Sequence, residues 1–301
     1  MKKILLSGAS GFVGINLSKF LVDLDYCVDS VNIKSGIHPS FLENCDVFIH
    51  LAGIAHDVKG KYTYEDYLLA NYKLTKDLYD IFLKSNAKIF IFFSSIKAVT
   101  DHSDEILTEK IFPNPKTSYG ESKLLAENYI LNHSCKENQK AFIIRPCMIH
   151  GKNNKGNLND LYKFIKFGLP WPFGLYENKR SFCSIDNLLF VIEKLISIEN
   201  IQSGIYNMAD SEPLSTNEVV AMIANSQNRK LNKIDIPIKL IKLLGRLGDL
   251  FNLPFNSLKI EKLTQNFVVS NHEILKQINS NLPLTAKEGL AKTLFHYKEI
   301  D

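Results

Sequence analysis

A tyrosine and a lysine four residues apart, in Tyr119-Gly120-Glu121-Ser122-Lys123, are the pair in this sequence best suited to moving a proton. At the start of a helix that spacing puts both on one face. A free tyrosine, with a pKa of about 10, is a poor base at neutral pH. A cation about 4 Å away, at an effective dielectric near 20, contributes roughly 4 kcal/mol. At about 1.36 kcal/mol per unit, this lowers the phenol by about three units. Tyr119 then serves as general base toward a sugar or alcohol hydroxyl and as general acid in reverse. A plain surface Tyr–Lys pair has the same spacing, so the flanking residues decide between the two readings. The pair follows Asn114-Pro115-Lys116-Thr117-Ser118, a helix-start loop, and the apolar run Ile89–Phe93 upstream ends in Ser94-Ser95. Ser95 is placed to hydrogen-bond the same oxygen and orient it.

A second group of residues reads as a phosphate cradle. Lys3–Leu6 is a short apolar run ending in Ser7-Gly8-Ala9-Ser10-Gly11-Phe12-Val13-Gly14, and helical spacing follows. Gly8 permits the tight turn, Gly11 lets the backbone approach a pyrophosphate, and Gly14 allows close helix–strand packing. The helix N-terminus supplies unpaired N–H groups and partial positive charge. An acid gripping a ribose is expected at the end of the second strand. That place holds Val31-Asn32-Ile33-Lys34, with Asn32 where the acid would stand and Lys34 able to meet a 2′-phosphate. NAD and NADP both remain open on these residues.

The elements that must position these groups alternate along the first half of the chain. Helical stripes at Phe12–Val22, Tyr67–Leu83 and Tyr119–Leu131 are interleaved with apolar runs at Cys27–Ile33, Val47–Leu51, Ile89–Phe93 and Ala141–Ile144. Continuous apolar strands are buried on both faces, as in a parallel sheet covered by helices. The expected fold is α/β, a doubly wound parallel sheet with a smaller, mixed C-terminal domain. Residues 1–150 form the dinucleotide-binding part, with a later return around 180–200, and 151–301 form mainly the substrate domain. Past Gly151 the pattern loosens. Asn153–Asn159 is polar, and Pro170 and Pro172 flank the lone Trp171. Leu188–Ile196 reads as a helix and Gly204–Met208 as a strand. Leu214–Ala224 is a further helix, with Ser215 and Glu218 in capping-box spacing.

Composition narrows the function classes. The 301 residues carry 36 Lys+Arg against 32 Asp+Glu, a net charge of +4, too mild and interspersed for a nucleic-acid footprint. No apolar run approaches the roughly 20 residues of a membrane span. The run Ile4-Leu5-Leu6 falls short of a secretory signal core, so a cytoplasmic location is expected. Five scattered cysteines lack close pairs and support neither a disulfide framework nor a zinc site. His50 and His56, without a carboxylate at suitable spacing, do not make a metal site.

Together with Asp46-Val47-Phe48-Ile49-His50-Leu51-Ala52-Gly53, Asn71, Arg145-Pro146, Gly151, Arg180, Asp186 and Tyr206-Asn207, these motifs resemble the extended short-chain dehydrogenase/reductase family, of the NAD-dependent epimerase/dehydratase type. The similarity spans about the first 225 residues. With Ser-Ser-Ile-Lys at the active-site strand, the sequence is most similar to the branch of UDP-N-acetylglucosamine 4-epimerases and UDP-4-keto-6-deoxy-HexNAc 4-reductases. The resemblance implies a Rossmann sheet, NAD or NADP, and hydride transfer at C4 of a UDP-sugar for surface-polysaccharide precursors. It implies that Gly8, Gly11, Phe12 and Val13 meet the pyrophosphate, and that Leu51, Ala52 and Gly53 lie beside the adenosine half. Asn71 joins the cofactor set. Lys123 holds the nicotinamide ribose, Pro146 and Cys147 lie near the nicotinamide, Met148 faces the sugar, and Arg180 grips the substrate diphosphate. Ser95, Tyr119 and Lys123 are the implied catalytic set. Asp186 is read as a helix cap rather than an acid. A homodimer through a four-helix bundle of Tyr67–Leu83 and Tyr119–Leu131 is also implied.

Sugar dehydratases of this family follow the catalytic Ser/Thr with Asp-Glu, whereas Ile96-Lys97 follows Ser95, so dehydration is not expected. Epimerase and ketoreductase use the same three residues and stay unseparated. The alternative from another class is a non-catalytic dinucleotide sensor, against which the intact Ser/Tyr/Lys set argues. Between Arg229 and Lys262 lie eight Lys/Arg and three acids. A membrane-surface helix is one reading of this stretch. The favoured reading is a substrate-domain helix with its apolar face buried, interrupted by Gly245 and Gly248.

Overall fold

The computed structural model describes residues 1–33, 39–55, 61–154, 156–251 and 256–300. In chain order the elements are β1 (Lys3–Ser7), α1 (Phe12–Asp23), β2 (Cys27–Val31), β3 (Val47–His50), α2 (Tyr64–Tyr67), α3 (Leu74–Lys84), β4 (Ile89–Phe93), α4 (Ser118–Asn132), β5 (Lys140–Pro146) and β6 (Met148–His150). They continue through α5 (Asn157–Lys166), β7 (Phe182–Ser184), α6 (Ile185–Ser197), β8 (Gly204–Met208), α7 (Thr216–Ser226), α8 (Ile238–Leu250), α9 (Ser257–Thr264), α10 (His272–Ile278) and α11 (Ala286–Ile300).

Six strands form one sheet in the order β2-β1-β3-β4-β5-β8, and every neighbouring pair is parallel. Alternation within the apolar strands explains the two-sided burial. In β3 and β4, Val47, Ile49, Ile91 and Phe93 pack with Leu17 and Leu21 of α1 and Leu188 and Ile192 of α6. Phe48, Phe90 and Phe92 face the other way, onto Leu78 and Phe82 of α3 and Ala126 and Ile130 of α4. Each such fully buried side chain contributes roughly 1.5–3 kcal/mol of transfer free energy. The chain order reverses between β1 and β3, where Ser7 pairs with His50. In an open parallel sheet a ligand binds at that reversal, outside the carboxyl ends of the strands.

The second half of the chain is more ordered than its sequence suggested. Asn157 opens helix α5, so the polar stretch 153–159 is half helix. Trp171 is 1% exposed in a separate core with Tyr162, Phe173, Val220 and Leu290. It donates through Nε1 to Asn217 Oδ1 at 2.7 Å. The expected capping box of Ser215 and Glu218 is present. The return to the sheet is longer than expected, since β8 pairs with β5, and Phe267, Val269, Ile274 and Ile278 join the core beneath it.

Two local expectations are corrected. Ser184, not Asp186, caps α6 through Asn187 N, and Asp186 pairs instead with Lys292. Within the stretch 229–262, Ile241 and Ile260 are buried, but the leucine face of its helix α8 is not. Helix α8 runs unbroken through Gly245 and Gly248, and its leucines are exposed. The glycines do not interrupt it because they are the seam on which it packs, with a Cβ at Gly245 placed 2.6 Å from Ile260 Cδ1 of α9.

Candidate active site

The glycine turn is shaped by close approach. Gly8 has φ of 77°, and a Cβ there would lie 2.6 Å from Ala52 N and 2.8 Å from Leu51 C. The turn at β1 is thereby held against the segment leaving β3. A Cβ on Gly14 would strike Gly8 O and come within 2.7 Å of Ala9 Cα, so this glycine sets the α1–β1 distance. Beside Gly11 a Cβ would meet only Gly8 O, at 3.3 Å. Helix α1 starts at N-cap Gly11 without a side-chain cap and without an acid in its first turn. Its leading N–H groups are therefore available to an anion, the arrangement a pyrophosphate requires.

Two polar networks hold the floor of this crevice. His50 is fully buried, with Nδ1 2.7 Å from Ser7 Oγ and Nε2 3.0 Å from Thr75 Oγ1. Burial, with Lys123's charge adding to it, pulls the His50 pKa down to about 3, so the ring is neutral. The helix Tyr64–Lys84 contains a π-helical segment, Leu68–Lys73. With its wider turn, the fully buried positions are Tyr67, Asn71 and Thr75, while Leu68 and Tyr72 are only half-buried. The Asn71 side chain accepts from Ile54 N at 2.9 Å and donates to Ile54 O and Ser122 Oγ at 3.1 Å each. Its amide thus ties the loop after β3 to α4. Gly53 lies against it, where a Cβ would be 2.5 Å from Asn71 Oδ1 and 3.6 Å from Lys123 Nζ.

Ser95, Tyr119 and Lys123 converge at the end of β4. Thr117 caps α4 by accepting from Gly120 N at 3.2 Å, which fixes the helix start where the Pro115 loop suggested it. The Ser95 side chain lies close enough to Tyr119 to act on its phenol. Lys123 Nζ donates to Phe93 O at 2.8 Å and lies 4.7 Å above the Phe92 ring. Burial pulls Lys123 down to about 8, with Glu127 opposing. The expected lowering of the Tyr119 phenol is corrected in the protein alone. Burial raises it, and Ser95 only partly offsets the rise. Desolvation of the phenolate outweighs a cation whose ammonium is turned to a backbone carbonyl.

Three participants were not singled out from sequence. Gly120 has no room for a Cβ, which would strike Lys97 O and approach Pro115 Cβ at 2.8 Å. Glycine therefore lets the first turn of α4 reach the turn that carries Ser95. Glu127 is fully buried and bonded to Arg145 of β5, and Ser94 donates to it. Its position two turns beyond Tyr119 on the same face was the available signal. Lys97 lies 4.7 Å over the Phe267 ring, and the Arg180 guanidinium is 5.9 Å from the same ring. Burial, then Arg180 and Lys262, hold the Lys97 pKa down against Asp101.

Arg180 is placed by backbone pairing to Leu214 and Phe267, and its Nη1 donates to Lys262 O at 2.7 Å. It is close enough to Cys147 for each charge to affect the other. Cys147 is buried next to Pro146, with its N–H bonded to Met208 O. Met148, in β6, packs on the second core. Phe12 reaches Gly151, whose Cβ would lie 3.4 Å from its ring. Val13 is half-buried behind the turn. Asn32 sits exposed just past β2, apart from the convergent groups. Lys34 and His56 lie outside the described residues. Among the described residues no cluster of His, Cys, Asp or Glu could hold a metal.

A family model described as "NAD dependent epimerase/dehydratase family" matches residues 4–209. The chain is 30% identical to a UDP-glucose 4-epimerase of Vibrio cholerae, over 97% of this chain and 94% of that protein. It is 27% identical to an N-acetyl-alpha-D-glucosaminyl-diphospho-ditrans,octacis-undecaprenol 4-epimerase of Escherichia coli O157:H7, again over 97% and 94%. In fold it is similar to the UDP-glucuronic acid 4-epimerase of Bacillus cereus, solved with NAD. The TM-score is 0.78 at 17% identity, covering 99% of this chain and 97% of that one.

Proposed function

The chain belongs to the NAD-dependent epimerase/dehydratase family, and from that membership we propose that it is a nucleotide-sugar 4-epimerase whose substrate is a UDP-N-acetylhexosamine. The observation that carries the reading is the convergence of Ser95, just past β4, with Tyr119 and Lys123 one turn apart on α4. It sits at the sheet edge that the glycine turn opens. Both relatives named above are 4-epimerases; one is named for UDP-glucose, and the other for an N-acetylglucosaminyl group carried on diphospho-undecaprenol rather than on a nucleotide. The second relative supports the N-acetylated sugar, and the first supports the UDP carrier.

The residues present fit a dinucleotide. The uncapped start of α1 and the bare Gly11 face suit the pyrophosphate. Leu51, Ala52 and Gly53 run alongside the turn, and Pro146 and Cys147 close the far end of the sheet edge. Asn71 acts by positioning Gly53 and Ser122. NAD, when bound, supplies the hydride acceptor and donor. Tyr119 takes the proton from the sugar's C4 hydroxyl as C4 is oxidised, and returns it when the 4-keto sugar is reduced from the opposite face. Ser95 holds that oxygen in line. Lys123 keeps a positive charge beside the ribose and phenol, which favours the phenolate. Arg180 and Lys97, gathered on Phe267, suit a diphosphate. The net reaction is redox-neutral, so the cofactor need not leave.

Association as a homodimer belongs to the same proposal. Leu69, next to α2, and Leu125 of α4 are 53% and 38% exposed on adjacent helices, the faces a four-helix bundle would cover.

The deciding experiment is to incubate the purified protein with UDP-N-acetylglucosamine, without added cofactor, and follow the C4 epimer by NMR. Interconversion with NAD recovered on denaturation is expected. No interconversion, with NAD(P)H consumed by a 4-keto UDP-sugar, would replace the epimerase with a ketoreductase. Dinucleotide binding with neither activity would leave a sensor.

A further inference from the structure

Helix α8 is amphipathic in the reverse sense of an ordinary surface helix. Its buried seam consists of Ile241, Gly245 and Gly248. Leu240, Leu243, Leu244, Leu247, Leu250 and Phe251 are exposed, from 41% at Leu247 to 72% at Leu250. At 3.6 residues per turn these six occupy one arc on the side away from the seam. Lys239, Lys242 and Arg246 border that arc along one edge, all exposed. Neighbouring positions add Lys259 and Lys262 on α9, within a stretch of eight Lys/Arg and three acids. A contiguous leucine face of this kind is not left in water without a partner.

The charges select among occupants. A second copy of the chain would bring the same cations to the interface, while α8 offers one carboxylate, Asp249. No helix among the described residues is long and apolar enough to cross a membrane. Leucines on one arc with lysine and arginine at its rim suit a helix lying in the plane of a bilayer surface. There the apolar side chains enter the acyl boundary and the cations meet anionic headgroups. We propose that α8 docks this protein onto an anionic lipid bilayer surface. The proposal rests on α8 and not on which sugar the site takes. The docked face adjoins the site, because α9, on which α8 packs, carries Lys262, whose carbonyl accepts from Arg180.

The test is flotation of the full-length protein with vesicles of phosphatidylcholine, alone or mixed equally with phosphatidylglycerol. Co-flotation with the anionic vesicles, persisting at moderate salt, is expected, with little on phosphatidylcholine alone. Each cation removed weakens binding roughly fivefold, so Lys239→Gln/Lys242→Gln/Arg246→Gln loses about a hundredfold. Leu243→Ser/Leu247→Ser removes the salt-resistant part. Because all five side chains are exposed, both variants keep the parent's melting temperature and its turnover of soluble nucleotide sugar. Absence of flotation on anionic vesicles overturns the proposal, as does flotation that neither variant reduces. A lipid-free dimer lost in the leucine variant would also overturn it, by assigning the face to a second copy.

Discussion

Glu127 and Arg145 form a bidentate ion pair beneath Tyr119 and Lys123, at 2.5 and 2.9 Å, with side chains 0% and 2% exposed. The pair joins α4 to β5, and Arg145 Nη1 finds no further partner among the described residues. Glu127→Gln should therefore destabilise the protein by about 3–5 kcal/mol, because a buried guanidinium loses its counter-charge. Urea unfolding measures this. Replacing both partners, as Glu127→Leu/Arg145→Met, should recover most of the loss, since no charge then stays buried.

Tyr119→Phe removes the proposed proton-transfer group while keeping the ring on Tyr67, 6.1 Å away between centroids. The expected result is a fall in kcat of about 10²–10⁴-fold, with KM and melting temperature little changed. Steady-state kinetics on the nucleotide sugar decide it. Unchanged turnover would remove Tyr119 from the reaction.

Gly120→Ala should separate Tyr119 from Ser95, because the added methyl meets Lys97 O and must push α4 away from the Ser95 turn. Turnover should fall while dinucleotide binding, measured by calorimetry, persists. The glycine turn proposed for the pyrophosphate follows another strand, β1. Equal loss of both would mean that the helix displacement spreads through the sheet.

His50 governs part of the acid limb of stability. Its folded pKa lies near 3 against 6.5 for a free imidazole, so between those values the unfolded chain binds the extra proton. Stability from this group is whole above about pH 6.5 and is lost as pH falls toward 3. His50→Asn should flatten the pH dependence of urea midpoints across that window. It should lower stability at neutral pH by the hydrogen bonds to Ser7 and Thr75 that it fails to replace.

The parts of the site that lie within one turn of chain were legible in the sequence. Gly8, Gly11 and Gly14 sit at the spacing the β1–α1 turn needs, and Tyr119 and Lys123 sit at the spacing of one helical face. The apolar runs Ile89–Phe93 and Gly204–Met208 marked strands to the residue. Long-range placements were not legible. The buried Glu127 reads as a surface residue until Arg145 arrives from the next strand, and Lys97 gains Arg180 as a neighbour only through Phe267.

Sequence alone located the strands and helices of the first half and the residues proposed for the site, because periodicity and turn residues are local properties. Tertiary structure decided which faces stay uncovered and which charges are desolvated. Helix α8 shows the first, since its leucines read as core until the fold buried its glycine seam instead. Tyr119 shows the second: its spacing from Lys123 predicted a lowered phenol, and burial raised it. Exposure and desolvation depend on everything packed around a group, and no window of sequence contains that sum.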